Sequence, residues 1–169
     1  MMKRPLLPAL AAAMLAALAT GANAQQMIIL VRHAELQAAA MAGPKQVPLS
    51  QTGSARAERL AGMLKDAGID AIYVTDFVRT QKTAEPLSHE LRERMTVLPK
   101  GDPRELVARL HKEHASQKVL LVGHTDTLPG ILKALGYPAD VKIDSDDYGN
   151  VFVVVPKGDA APTFLKLRY

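Results

Sequence analysis

The chain has 169 residues, with 21 Lys or Arg against 17 Asp or Glu, a formal charge of +4, and no cysteine. No Lys/Arg run marks a nucleic-acid-binding stripe, and without cysteine neither a disulfide nor a lipid-modified thiol can support or tether the fold. The length suits one domain with a sizeable core.

Met1 to Arg4 supply a positive start through Lys3 and Arg4, residues 6–19 form an apolar run broken only at Pro8, and Ala22-Asn23-Ala24 has the small residues of a cleavage site. This pattern predicts a secretory signal peptide over residues 1–24, too short to span a bilayer. The expected mature domain is 25–169, periplasmic or secreted, with no stable membrane insertion after signal cleavage.

Residues 28–31, Ile-Ile-Leu-Val, read as a strand buried on both faces, and they run straight into Arg32, His33 and Glu35. Residues 36–48 read as a surface loop. Ser50 is the predicted N-cap of a helix whose Ala57, Leu60, Ala61 and Leu64 recur at three- and four-residue steps and which closes near Gly68. Residues 69–74 predict a second strand. Thr75 or Asp76 is expected to cap the next helix, which continues to about Leu91 and which Pro86 should kink or shorten. Residues 96–98 predict a weak strand, 103–114 a helix, 119–122 an apolar strand ended by Gly123-His124, and 128–135 a helix stopped by Gly136 and Pro138. Residues 151–155 and 164–168 read as a hairpin.

This alternation predicts an α/β fold with a mostly parallel sheet, in which ligands sit beyond the carboxyl ends of the strands. Two apolar strands end in histidine, at His33 and His124. Such ends suit a phosphoryl group. A neutral imidazole is nucleophilic near pH 7, so His33 can attack phosphorus if one ring nitrogen holds a proton and the other faces the substrate. A backbone carbonyl or a carboxylate would fix that tautomer. Arg32 supplies a guanidinium that keeps its charge and makes paired hydrogen bonds. Arg79, where the second strand gives way to a helix, is the expected second cation. His124 can donate to a phosphoryl oxygen as imidazole or imidazolium. A charge pair at about 4 Å contributes about 4 kcal/mol at an effective dielectric near 20, so two arginines could offset the desolvation of one phosphate.

Four blocks in this order carry a resemblance to a known family. Arg32-His33-Ala34-Glu35, Leu49-Ser50-Gln51-Thr52-Gly53, Arg79-Thr80-Gln81-Lys82-Thr83-Ala84 and Gly123-His124 resemble the R-H-G/A-E, L-[ST]-x-x-G, R-x-x-x-T-A and G-H blocks of the histidine phosphatase superfamily, the phosphoglycerate mutase-like fold. They span about residues 27–135. The resemblance implies a three-layer α/β/α sandwich around a mostly parallel, mixed six-stranded sheet. It implies a phosphomonoester hydrolase with no metal or cofactor, a phosphohistidine intermediate on His33, and a phosphate pocket of Arg32, Arg79 and His124. Many members carry a glutamate in an insertion before the second histidine, where this chain offers only Asp102 and Glu105. Another branch uses a carboxylate just after that histidine, which implies Asp126 as a general acid with a raised pKa; helix capping is its bland alternative. The expected partner is a phosphorylated small molecule or envelope phosphate ester, with no nucleic acid. A phospho-ligand-binding protein that kept the pocket without turnover is the second reading. A mutase, which needs a lid against water, ranks last in so short a chain.

Other residues invite weaker readings. Lys45 stands where relatives often carry an acidic or amide residue and is an anion contact to test. Glu35 orients catalytic groups, or else is a surface or capping residue. His111 and His114 lie three apart but have no third ligand for a metal, so a solvated helix face is expected. Residues 144–149 look like the opening of a calcium loop, yet Val155 stands where the twelfth position needs glutamate, so they read as a turn.

Overall fold

The computed structural model describes residues 26–38, 43–158 and 160–169; the expected signal peptide, residues 1–24, lies outside the described residues. Strands β1 (Met27–Arg32), β2 (Ala71–Thr75), β3 (Met95–Leu98), β4 (Lys118–Gly123), β5 (Asn150–Lys157) and β6 (Ala160–Arg168) form one sheet in the order β3-β2-β4-β1-β5-β6. The first four are mutually parallel, and β5 and β6 add antiparallel. The helices are α1 (Gln51–Leu64), α2 (Val78–Leu91), α3 (Pro103–Glu113) and α4 (Leu128–Ala134). The expected mixed six-stranded sheet is therefore present.

Successive strand residues point to opposite faces, and here both faces are covered. Ile28, Leu30, Tyr73, Leu121 and Phe152 pack with Val107 and Leu110 of α3 and with Leu128, Ile131 and Leu132 of α4. Ile29, Val31, Ile72, Leu120 and Val153 pack with Leu60, Ala61 and Leu64 of α1 and with Ala84 and Leu87 of α2. That is the three-layer sandwich, and it explains why β1 and β4 read as unbroken apolar runs. Each fully buried leucine contributes about 1.5–3 kcal/mol. Among the described residues no helix is long and apolar enough to cross a membrane.

Several element ends differ from expectation for local reasons. The second strand starts at Ala71 instead of Ile69, because Asp70 turns its carboxylate onto the Lys118 N–H at 2.7 Å while its own N–H donates to the Lys118 carbonyl. The N-cap of α2 is Phe77, with no side-chain cap. Thr75 and Asp76 are otherwise engaged, the first with His124 and Thr80, the second with Lys45. Pro86 neither ends nor shortens α2, which continues to Leu91. It forfeits one helical hydrogen bond, while Ala84 and Leu87 on either side remain in the core. Ser50 caps α1 as expected, accepting from the Gly53 N–H at 3.0 Å.

Candidate active site

The parallel register sets Arg32 of β1 beside Gly123 of β4, and the His33 N–H donates to the Gly123 carbonyl at 3.0 Å. The two strand ends thus deliver their histidines side by side. The rings of His33 and His124 lie 5.3 Å apart in an edge-to-face arrangement, only 5% and 3% exposed.

His33 Nδ1–H donates to the carbonyl of Ala34 at 2.8 Å. A carbonyl can only accept, so the proton is on Nδ1 and Nε2 keeps its lone pair. Burial is the main force pulling the ring's pKa down to about 4, against the pull of the Ala34 carbonyl, and the charges of Arg79, Arg32 and Lys100 add to it. The ring is therefore neutral at pH 7.

The motif residues around His33 have structural reasons. The Ala34 N–H donates to Thr83 Oγ1 at 2.9 Å, and that hydroxyl donates to the Arg79 carbonyl at 2.7 Å, tying the loop after β1 to the first turns of α2. Ala34 is fully buried against Leu49 and Ala57. The Ser50 N–H donates to the Glu35 carbonyl at 2.9 Å. At Gly53 a Cβ would fall 2.1 Å from that same carbonyl oxygen, so the glycine is a requirement of close approach between two backbones.

Among the described residues Glu35 pairs with Arg56 instead of with either histidine. Its carboxylate takes a forked pair of bonds from Arg56, at 2.7 and 2.9 Å, and Arg56 also donates to the Tyr169 carbonyl. The hydrogen bond from Arg56 holds Glu35 below the usual glutamate range, against partial burial. Because the folded pKa is lowered, this contribution to stability is complete above the ordinary glutamate value and is lost as pH falls through the lowered one. Glu35→Gln is accordingly expected to lower the thermal midpoint at pH 7 and to flatten its decline on acidification. Thermal unfolding followed from pH 7 to pH 3 checks this; parallel curves for the two proteins would reject it.

Arg32 is braced from behind. Its Nη1 donates to the carbonyls of Asp144, Ser145 and Asp147 at 3.0, 3.0 and 3.2 Å, and its guanidinium carbon lies 4.0 Å from the centre of the Tyr148 ring. The same ring lies 6.1 Å from that of His33. Arg32 Nε is buried and has no hydrogen-bond partner among the described residues. The segment read as a turn is indeed one, with the Asp147 N–H on the Asp144 carbonyl, and its carbonyls hold the arginine.

Hydrogen-bond accounting fixes His124. Thr80 Oγ1–H donates to the Phe77 carbonyl at 2.8 Å or the Thr75 carbonyl at 3.0 Å, so it accepts from Thr75 Oγ1–H. Thr75 Oγ1 then accepts His124 Nε2–H at 2.8 Å, leaving Nδ1 as acceptor for Arg79 Nε–H at 3.4 Å. Burial lowers the pKa of His124 to about 3, with the charges of Lys100 and Arg79 behind it. Arg79 donates to the Pro44 carbonyl through Nη1 and covers the Phe77 ring at 4.2 Å. The edge of His124 meets that ring at 4.9 Å, and Lys45 and Lys100 reach it at 5.5 and 5.2 Å. Thr75, Phe77, Lys100 and Tyr148 were not anticipated as site residues from the sequence; the positions of Thr75 at the end of a strand and of Phe77 just beyond it, both before Arg79, were the available signal.

Arg32, His33, Arg79 and His124 are thus brought together. Asp126 lies at their rim, 68% exposed, bonded to Lys100 at 2.8 and 3.1 Å. Partial burial pushes its carboxyl up, but the hydrogen bond and charge of Lys100 outweigh that and hold it below the ordinary aspartate value. This is opposite to the raised pKa expected of a general acid. Nor does Asp126 cap a helix: α4 begins after Thr127, with no side-chain cap. Asp102 caps α3, accepting from the Arg104 N–H, and lines with Glu105 a neighbouring cavity. His111 and His114 are not a bare solvated face, since their Nδ1 atoms bond to Gln26 and Gln117 and His114 Nε2 to the Tyr73 hydroxyl.

Residues 28–100 match the model of the histidine phosphatase superfamily, branch 1; the matched segment holds Arg32, His33 and Arg79 and ends before His124. A comparison with curated proteins found no match. Among solved structures, the protein histidine phosphatase SixA complexed with tungstate superposes with a TM-score of 0.64 at 17% identity, over 84% of this chain and 96% of that one. Phosphoserine phosphatase from Entamoeba histolytica in complex with 3-phosphoglyceric acid gives 0.67 at 13% identity, over 85% and 97%. A mycobacterial glucosyl-3-phosphoglycerate phosphatase gives 0.62 at 15%, over 85% and 97%. At these identities the likeness is one of fold.

Proposed function

We propose that this chain, whose residues 28–100 match the histidine phosphatase superfamily model, is a member of that superfamily and a phosphomonoester hydrolase working through a phosphohistidine on His33. Its substrate on this reading is a phosphorylated small molecule or envelope phosphate ester, met in the periplasm or outside the cell, and no metal takes part. The supporting observation is the neutral His33 with its Nε2 lone pair, set beside Arg32 and Arg79. A phosphoryl oxygen also satisfies the buried Arg32 Nε–H, whose isolation otherwise costs about 1–3 kcal/mol.

His33 Nε2 attacks phosphorus, the P–N bond forming as the ester P–O bond breaks and its electron pair leaves on the ester oxygen. The charge that spreads over the equatorial oxygens meets Arg32 and Arg79. His124 Nδ1 holds a lone pair in the resting protein, so it donates to the phosphoryl group only as imidazolium, a state the dianion's charge favours. Asp126 is the proposed donor to the leaving oxygen, and Lys100 must release it for that step. Water then attacks phosphorus, the P–N electron pair returns to Nε2, and phosphate departs. For this second step Asp126 is already the carboxylate needed to take the proton from water.

Steady release of inorganic phosphate over many turnovers from a panel of phosphate esters tests the reading. Asp126→Asn is expected to lower kcat about 10²- to 10⁴-fold on esters of basic alcohols. Undiminished turnover moves the proton transfers to Asp102 or Glu105. The Lys100–Asp126 pair, which keeps the acid ionised, favours one rival, a phospho-ligand-binding protein; saturable phosphate-ester binding without turnover decides for it.

A further inference from the structure

A cavity of about 270 Å³ lies beside the phosphate hollow, between the carboxyl ends of β2, β3 and β4 and the helices α3 and α4. Its walls are mostly apolar, with Leu98, Leu106, Leu121 and Ile131 among them, and Arg32, His33 and Arg79 take no part in it. Three residues nonetheless belong to both spaces. Thr75 and Thr127 line the cavity and also hold His124, the first at Nε2 and the second by accepting its backbone N–H at 3.0 Å. Lys100 lines it too, while its ammonium reaches Asp126 and the Phe77 ring and its charge bears on both histidines. The four-residue β3–α3 connection, residues 99–102, forms part of the cavity wall.

We propose that the cavity is the leaving-group subsite: with the phosphoryl group at His33, the alcohol part of the ester passes Lys100 and seats in the cavity. The volume fits a ring-sized apolar group, since an apolar cavity of about 150 Å³ already takes up benzene. The charged lining is balanced, Lys100 and Arg109 against Asp102 and Glu105, so a second phosphate or carboxylate gains nothing there. The substrate class is therefore a phosphate monoester of an aromatic or similarly bulky apolar alcohol with no second anionic group. This rests on the hydrolase reading above and gives that reading its substrate.

Benzyl phosphate and ethyl phosphate test it, because both release an alcohol of similar basicity and differ in the ring. Wild type is expected to show kcat/KM at least tenfold higher for the benzyl ester, mainly through KM. Leu106→Trp, which fills the cavity, should bring the two esters within about twofold of each other. Ile131→Phe serves as a second filler, and thermal unfolding shows that each variant is folded. Benzyl alcohol, which has no phosphoryl group, provides a separate readout: methyl resonances of Leu106 and Ile131 should shift on its addition to wild type. Equal kcat/KM for the two esters in wild type, or a preference unchanged by both fillers, overturns the subsite. If neither ester turns over, the hydrolase reading fails by itself, and the benzyl alcohol shifts then decide the cavity: present, they keep a ring-binding site; absent, they remove it.

Discussion

His33→Ala is expected to lower kcat/KM for phosphate esters by at least about a thousandfold, about 4 kcal/mol on the barrier, and to abolish the proposed phosphoenzyme, which should survive base and be lost in acid. Hydrolysis at the wild-type rate would end the catalytic assignment. The substitution has a second signature, independent of turnover. Both histidines are held neutral in the folded chain, their pKa values lowered from 6.5 to about 4 and about 3, chiefly by burial. The unfolded chain therefore binds more protons as pH drops below 6.5, and stability falls with it until the folded values are reached. Removing His33 removes one of these two contributions, so the thermal midpoint of His33→Ala should decline less steeply between pH 6.5 and 4 than that of wild type.

Gly53→Ala should destabilise the fold by about 3 kcal/mol or more, against the usual sign of that change in a helix. Within a helix, alanine for glycine ordinarily stabilises by about 0.5–1 kcal/mol. Here the new Cβ would stand 2.1 Å from the Glu35 carbonyl oxygen and 3.0 Å from two further backbone atoms of that residue. No side chain can swing away, so two backbone segments must part, and overpacking costs of about 1–3 kcal/mol are the lower guide. The thermal midpoint should fall by roughly 6–12 °C. Gly62, in the same helix, has open space where its Cβ would go, so Gly62→Ala should raise the midpoint slightly. A Gly53→Ala protein as stable as Gly62→Ala would show that the contact can relax. Because Glu35 lies two residues past His33, the destabilised variant should also lose activity at temperatures where it is still folded.

The architecture was legible because its cause is repetitive. Residues 28–31 and 119–122 are apolar without alternation, and β1 and β4, the central strands, are covered on both faces. The histidines could be paired from sequence because each ends such a strand, and parallel register then leaves them little choice but to meet. What the sequence hid falls into two kinds. Side chains with two available partners could not be assigned: Thr75 and Asp76 both looked like caps of α2, but one holds His124 and the other Lys45. Asp126 looked like a cap or an acid, and its ion pair with Lys100 depends on a residue 26 positions away. The second kind has no letter code at all. The Ala34 carbonyl that sets the His33 tautomer, and those of residues 144, 145 and 147 that grip Arg32, belong to the backbone.

That grip has a consequence for how this protein can vary. A cation steadied by peptide oxygens depends on the path of the chain and is indifferent to the letters written along it, Tyr148 aside. Substitutions at positions 144 and 145 that keep the bend should leave the arginine aimed as before, whereas deleting or inserting a single residue there should swing it off target. Selection acting on this loop is therefore expected to police its length and spare its spelling.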